Sequence, residues 1–146
     1  MMIDFKHILC PIDFSDISNH AFLTAQNLAE RFGSDMHVIH VFQLPASSFP
    51  EGVYSAPDDE EARIKHQLSN RLNEFVKSNS TSNVNITTGL YEGIPHIEII
   101  RSANENNADL IVMGSHGRTG LTHALIGSVA ERVIRTSSIP VFSVRK

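Results

Sequence analysis

The chain has 146 residues, of which 41% are apolar and 19% charged. That length and composition fit one domain, residues 1–146, burying about 70% of its unfolded surface, and they exclude disordered and collagen-like structure. Sixteen acidic against 12 basic side chains give a net charge of −4 and a pI near 6.0, and no run of Lys or Arg exceeds two, so the basic stripe of a nucleic-acid binder is missing.

Met1 to Lys6 shows no apolar core of a signal peptide. His7-Ile8-Leu9-Cys10-Pro11-Ile12 is a short apolar run, as expected of a strand buried on both faces. Cys10 is the sole cysteine, which rules out an intramolecular disulfide or a Cys-based zinc site and suits a reducing compartment. Inside an apolar strand it reads as an inert small hydrophobe. Phe14-Ser15-Asp16 then offers cap chemistry for a helix whose stripe is Ala21, Phe22, Ala25, Leu28, Ala29 and Phe32, with Gly33 as its C-terminal stop. Met36 to Phe42 is the second strand, where His37 and His40, three apart, face opposite sides and cannot share a metal.

Residues 43–57 hold three prolines and a glycine and read as a loop long enough to suggest a function: together with the helix after it, the loop is expected to cover a bound ligand. A long helix follows from Asp58 to Asn79, opened by Asp58-Asp59-Glu60-Glu61, with Ile64, Leu68, Leu72, Phe75 and Val76 inward. Asn83 to Tyr91 alternates as a third strand, and Gly93-Ile94-Pro95 turns the chain into a third helix marked by Ile97, Ile100 and Ala103. Asp109 to Met113 is a fourth strand. After a glycine-bearing loop from Gly114 to Gly127, a fourth helix spans Ser128 to Thr136 with Val129, Val133 and Ile134 inward, and Ile139 to Val144 closes the chain as a fifth strand. This strand–helix alternation predicts an α/β fold: an open five-stranded parallel sheet with helices on both faces, Rossmann-like in its crossovers. No stretch approaches the ~18 uninterrupted apolar residues of a membrane span, so a cytoplasmic protein without membrane contact is expected.

An open parallel sheet binds ligands beyond the carboxyl ends of its strands, where the strand order reverses. With the first strand central and the fourth beside it, the segment Pro11-Ile12-Asp13-Phe14-Ser15 faces the loop starting at Gly114. Glycines at 114, 117, 120 and 127 let backbone N–H groups approach an anion. The helix starting at Ser128 adds unsatisfied N–H donors and a partial positive charge, Ser128 a hydroxyl and Arg118 a permanent cation. This is chemistry for a phosphate chain, although a helix cap and a strand end account for Gly127-Ser128 and Gly114 equally well. Asp13 suits ribose hydroxyls or a divalent cation, and suits an Asx turn capping the first helix just as well.

The pattern Gly114-x2-Gly117-x9-Gly127-Ser128 resembles the ATP-binding signature of the universal stress protein family. The opening from Lys6 to Ser15, the crossover Tyr91-Glu92-Gly93-Ile94-Pro95-His96 and the closing Ile139 to Val144 resemble that family too, so the likeness spans essentially the whole chain. It implies a sheet ordered 3-2-1-4-5 and an adenine pocket lined by Pro11, Ile12, Val41, Ile94 and Met113. It implies Asp13 at the nucleoside, Gly114 and Gly117 near the ribose and phosphates, and Arg118, Gly127, Ser128 and Val129 at the phosphate chain. With the glycine signature and Asp13 in place, the chain resembles the members that bind ATP. The resemblance further implies a homodimer joined through the C-terminal strand, Val141–Val144, in keeping with the need of an apolar edge strand for a partner.

Other chemistries fit less well. GxxxxGK[ST] and GxGxxG are absent, which disfavours a P-loop or a dinucleotide-binding Rossmann site, and no His-x-Gly-His follows the first strand as in adenylyltransferases. Ser115, His116 and Asp13 lack the setting of a hydrolytic triad, because adjacent Ser and His seldom point at one another. The expectation is a stress-response module that binds ATP or AMP, with Mg2+ able to bridge the phosphates, and that signals through binding with at most slow hydrolysis. The alternative is a dimeric interaction scaffold that works without nucleotide.

Overall fold

In the computed structural model, which describes residues 3–44, 58–81, 83–116 and 125–145, the chain folds as strands and helices in strict alternation. Strand β1 (His7–Pro11) leads into α1 (Asp16–Phe32), then β2 (Asp35–Phe42) and α2 (Asp58–Asn79). Strand β3 (Ile86–Glu92), α3 (Pro95–Glu105), β4 (Leu110–Gly114), α4 (Ser128–Thr136) and β5 (Val141–Val144) complete it. The sheet is parallel, in the order β3-β2-β1-β4-β5. The long-loop hypothesis for 43–57 falls largely on residues 45–57, which lie outside the described residues.

Local chemistry sets the element ends. Ser15 caps α1 by accepting from the Ser18 N–H, and Gly33 ends the helix in the left-handed conformation at φ 68°, its N–H donating to Ala29 O. Pro95 opens α3 at a position where no helical N–H is needed. The fifth strand starts later than its apolar pattern predicts. The Ile139 N–H donates to Ser137 Oγ and the Ser137 hydroxyl donates to Ile139 O, so a turn claims the groups a ladder would use. The third strand likewise starts at Ile86 rather than Asn83; the ladder beside it opens with the Met36 N–H donating to Asn85 O.

Two apolar layers sandwich the sheet. On one face Ile8, Cys10, Ile12, Met36 and Val38 meet Ala21, Phe22, Ala25 and Ala29 of α1 and Leu72 of α2. On the other face Leu9, Ile39, Ile111 and Met113 meet Ile99 and Ala103 of α3 and Ala130 and Val133 of α4. His37 and His40 do fall on opposite faces: His37 meets Thr87 at 2.7 Å, while the ring of His40 packs 4.8 Å from that of Phe14.

Two helix faces depart from the expected stripes. In α3 the sheet-facing residues are Ile99, Ser102 and Ala103, whereas Ile97 is 48% exposed. In α4 they are Ala130 and Val133, and Ile134 is 44% exposed. Ile100 and Val129 pack against the core at the margins of these faces, as expected. Each helix carries one broad apolar face, so periodicity leaves its rotation open by a residue or so and packing on the sheet selects it. Among the described residues no helix is long and apolar enough to cross a membrane.

Candidate functional site

Strand β1 lies between β2 and β4, so the chain's crossovers part in opposite directions at its carboxyl end. A cavity of about 240 Å³ opens there. Its apolar wall is Pro11, Ile12, Val41, Pro95, Ile99 and Met113; its polar wall includes Asp13, Ser18, Ser115, His116 and Ser128. Gly114, Gly127, Val129 and Ala130 complete the lining.

The β1 side is built by hydrogen bonds that aim Asp13. The ladder runs one residue past the strand, with the Ile12 N–H donating to Ile39 O at 2.8 Å. The Asp13 N–H then donates to Ser18 Oγ at 3.3 Å, and Asp13 Oδ1 accepts the Ser15 N–H at 3.0 Å. Asp13 therefore makes the Asx turn that leads into α1 and also lines the cavity, so its local and ligand-facing descriptions coexist. Phe14, between Asp13 and Ser15, takes φ 65°.

On the β4 side, Gly114 ends the strand against α1. The Ser115 N–H donates to Val144 O at 2.8 Å, and Ser115 O accepts the Gly127 N–H at 2.6 Å, so one residue ties the ends of β4 and β5 to the start of α4. The Ser115 hydroxyl and His116 Nδ1 stand 2.8 Å apart, both residues buried in the cavity wall. The expectation that this adjacent pair points apart is thereby corrected: the chain bends after Gly114, which brings the two side chains to one side.

Helix α4 starts without a side-chain cap, since its N-cap is Gly127, and its first intrahelical bond runs from the Glu131 N–H to Gly127 O. By helix geometry the N–H groups of Ser128, Val129 and Ala130 have no partner within the helix. All three residues line the cavity. Unsatisfied donors and the positive end of the dipole therefore meet an apolar slot.

Of the residues singled out from sequence, Pro11, Ile12, Asp13, Val41, Met113, Gly114, Gly127, Ser128 and Val129 come together around this cavity. Ile94 does not line it; it is the N-cap of α3, 46% exposed, and Pro95 faces the slot instead. Gly117 and Arg118 lie outside the described residues. Sequence reasoning missed Ser18, Pro95, Ile99 and Ala130 as lining residues, and it weighed Ser115 and His116 as members of a hydrolytic triad. Ala130 was findable as the third residue of the α4 start, whereas Ile99 was hidden behind the misplaced Ile97 stripe. Among the described residues no three His, Cys, Asp or Glu gather as a metal site.

Comparison with known proteins places this geometry in a family. The model of the universal stress protein family matches residues 4–145. Universal stress protein MJ0531 of Methanocaldococcus jannaschii is 38% identical over 144 residues, covering 97% of this chain and 83% of the relative. The solved structure of MJ0577, from the same organism, superposes with a TM-score of 0.82 at 28% identity, covering 99% of this chain and 98% of that one. A universal stress protein solved in complex with cAMP shares the fold at a TM-score of 0.68 and 22% identity, covering 98% of each chain. The chain belongs to the universal stress protein family.

Proposed function

We propose that this protein binds an adenine nucleotide, ATP or AMP, across the carboxyl edge of its sheet and acts in the stress response as a regulatory module, with at most slow hydrolysis. Adenine lies against Pro11, Ile12, Val41 and Met113, the ribose near Asp13 and Gly114, and the phosphates on Gly127, Ser128 and Val129, with Gly117 and Arg118 of the same signature joining them. The observation that carries this is the uncapped start of α4 opening into an apolar cavity beside a carboxylate. Phosphate finds backbone donors there, and a purine finds a slot with few competing polar groups. A family member of the same fold binding cAMP agrees with a nucleotide of this kind. Where Mg2+ accompanies ATP, Asp13 is the carboxylate in the lining, and the ion supplies charge neutralisation between phosphates.

The proposed assembly is a homodimer in the cytoplasm, joined through β5. That strand is one edge of the sheet, and Phe142 on it is 47% exposed, so a second copy would cover both its open ladder and its ring.

Mass spectrometry of the ligand retained on purification, followed by calorimetry with ATP, AMP and GTP, tests the binding. An adenine nucleotide is expected in the first and saturable ATP binding in the second, and the Gly127→Val, Ser128→Ala double variant loses that binding. A wild-type chain that binds none of the three leaves the dimeric scaffold as the better description. Phosphate release at multiple turnovers per minute would point to an enzyme instead.

A further inference from the structure

Phe14 sits between the two residues of the Asx turn, in the left-handed backbone region at φ 65°. That region is costly for a bulky aromatic, so surrounding contacts must hold it there. Three do. The Arg71 guanidinium carbon stands 4.1 Å over the Phe14 ring, the Phe75 ring meets it edge-on at 6.1 Å, and the His40 ring lies 4.8 Å away. Arg71 and Phe75 are four apart on α2 and share one face of it. His40 also donates from Nδ1 to Ile12 O at 2.8 Å, so it is fastened to the residue before Asp13 as well.

The left-handed turn at Phe14 is what folds the Ser15 N–H back onto Asp13 Oδ1. The direction of the Asp13 carboxylate at the cavity therefore depends on a ring clamped by a helix that does not itself line the cavity. We infer that Phe14 is a positioning residue and that α2, through Arg71 and Phe75, sets the affinity of the site for the nucleoside half of its ligand. This rests on the nucleotide-binding reading above.

Calorimetry with two half-ligands tests this: adenosine for the nucleoside side and inorganic tripolyphosphate for the helix start. Arg71→Met, on the surface, keeps the fold and removes the cation; adenosine affinity is expected to fall roughly two- to fivefold. Phe14→Gly accepts the left-handed backbone without strain but offers no ring to clamp, so a larger adenosine loss is expected. Tripolyphosphate affinity stays at the wild-type value in both, a split that general loosening of the fold would not produce. Unchanged adenosine affinity in Phe14→Gly, or parallel loss of both half-ligands, overturns the inference while leaving the nucleotide reading standing. A wild-type chain that binds ATP but not adenosine overturns this inference alone; one that binds neither ATP nor AMP overturns the nucleotide reading and this one with it.

Discussion

Gly114 and Ile17 meet so closely that a Cβ added at Gly114 would stand 2.5 Å from Ile17 Cγ2. The glycine is thus required by the packing of α1 on the end of β4, independently of any ligand. Because Gly114 also lines the cavity, the same contact sets how near α1 and the turn before it stand to the end of β4. Gly114→Ala is expected to destabilise by about 1–3 kcal/mol through overpacking, and Ile17→Ala in the same chain to recover part of that loss. Urea denaturation of the two single variants and the double variant measures the coupling; simple additivity would show that the contact is not what Gly114 serves.

Asp13 has two tasks that one substitution separates. Asp13→Asn retains an acceptor for the Ser15 N–H, so the Asx turn survives and the melting temperature stays within a degree or two of wild type, a stability change under about 0.5 kcal/mol. Nucleotide affinity nevertheless drops, because the negative charge and its full acceptor capacity are gone. Asp13→Ala loses both. Thermal melts paired with calorimetry read the two effects; an Asp13→Asn chain that binds ATP like wild type would confine Asp13 to the turn.

His37 gives stability a pH dependence of known sign. Desolvation lowers its pKa from the ordinary 6.5, opposed in part by its bond with Thr87. The unfolded chain then takes up the proton more readily, so this contribution is complete above pH 6.5 and is lost as pH falls through the folded value. His37→Gln should flatten the acid side of the stability profile relative to wild type, as followed by urea midpoints across that range. An unchanged slope would assign the acid sensitivity to other groups.

Cys10 should be silent toward thiol reagents. It is fully buried in β1, and burial pushes its thiol up to about 12, so almost no thiolate exists near neutrality. Modification is expected only as denaturant opens the sheet, with a rate tracking global unfolding. Rapid labelling of the native protein would contradict the packing of β1.

The sequence carried the architecture because its signals are local. Short apolar runs such as Leu110–Met113, the Ser15 cap and Gly33 are each legible within one turn or one strand. Their alternation restricts the chain to parallel strands with crossovers, and the expected neighbours β1 and β4 are paired, Ile8 with Leu110 and Leu9 with Ile111. The start of α4 at Gly127-Ser128 was legible for the same reason.

What tertiary structure alone decided is which way particular side chains face and what holds them there. Ile99 rather than Ile97 faces the sheet, Pro95 rather than Ile94 faces the slot, Ser115 turns onto His116, and Phe14 is held by Arg71 far along the chain. None of these has a period or a motif. A helix with a broad apolar face has several acceptable rotations, and a strained turn is stable only with its clamp in place. Packing chooses among them, since burial energy depends on what lies opposite and not on the residue itself.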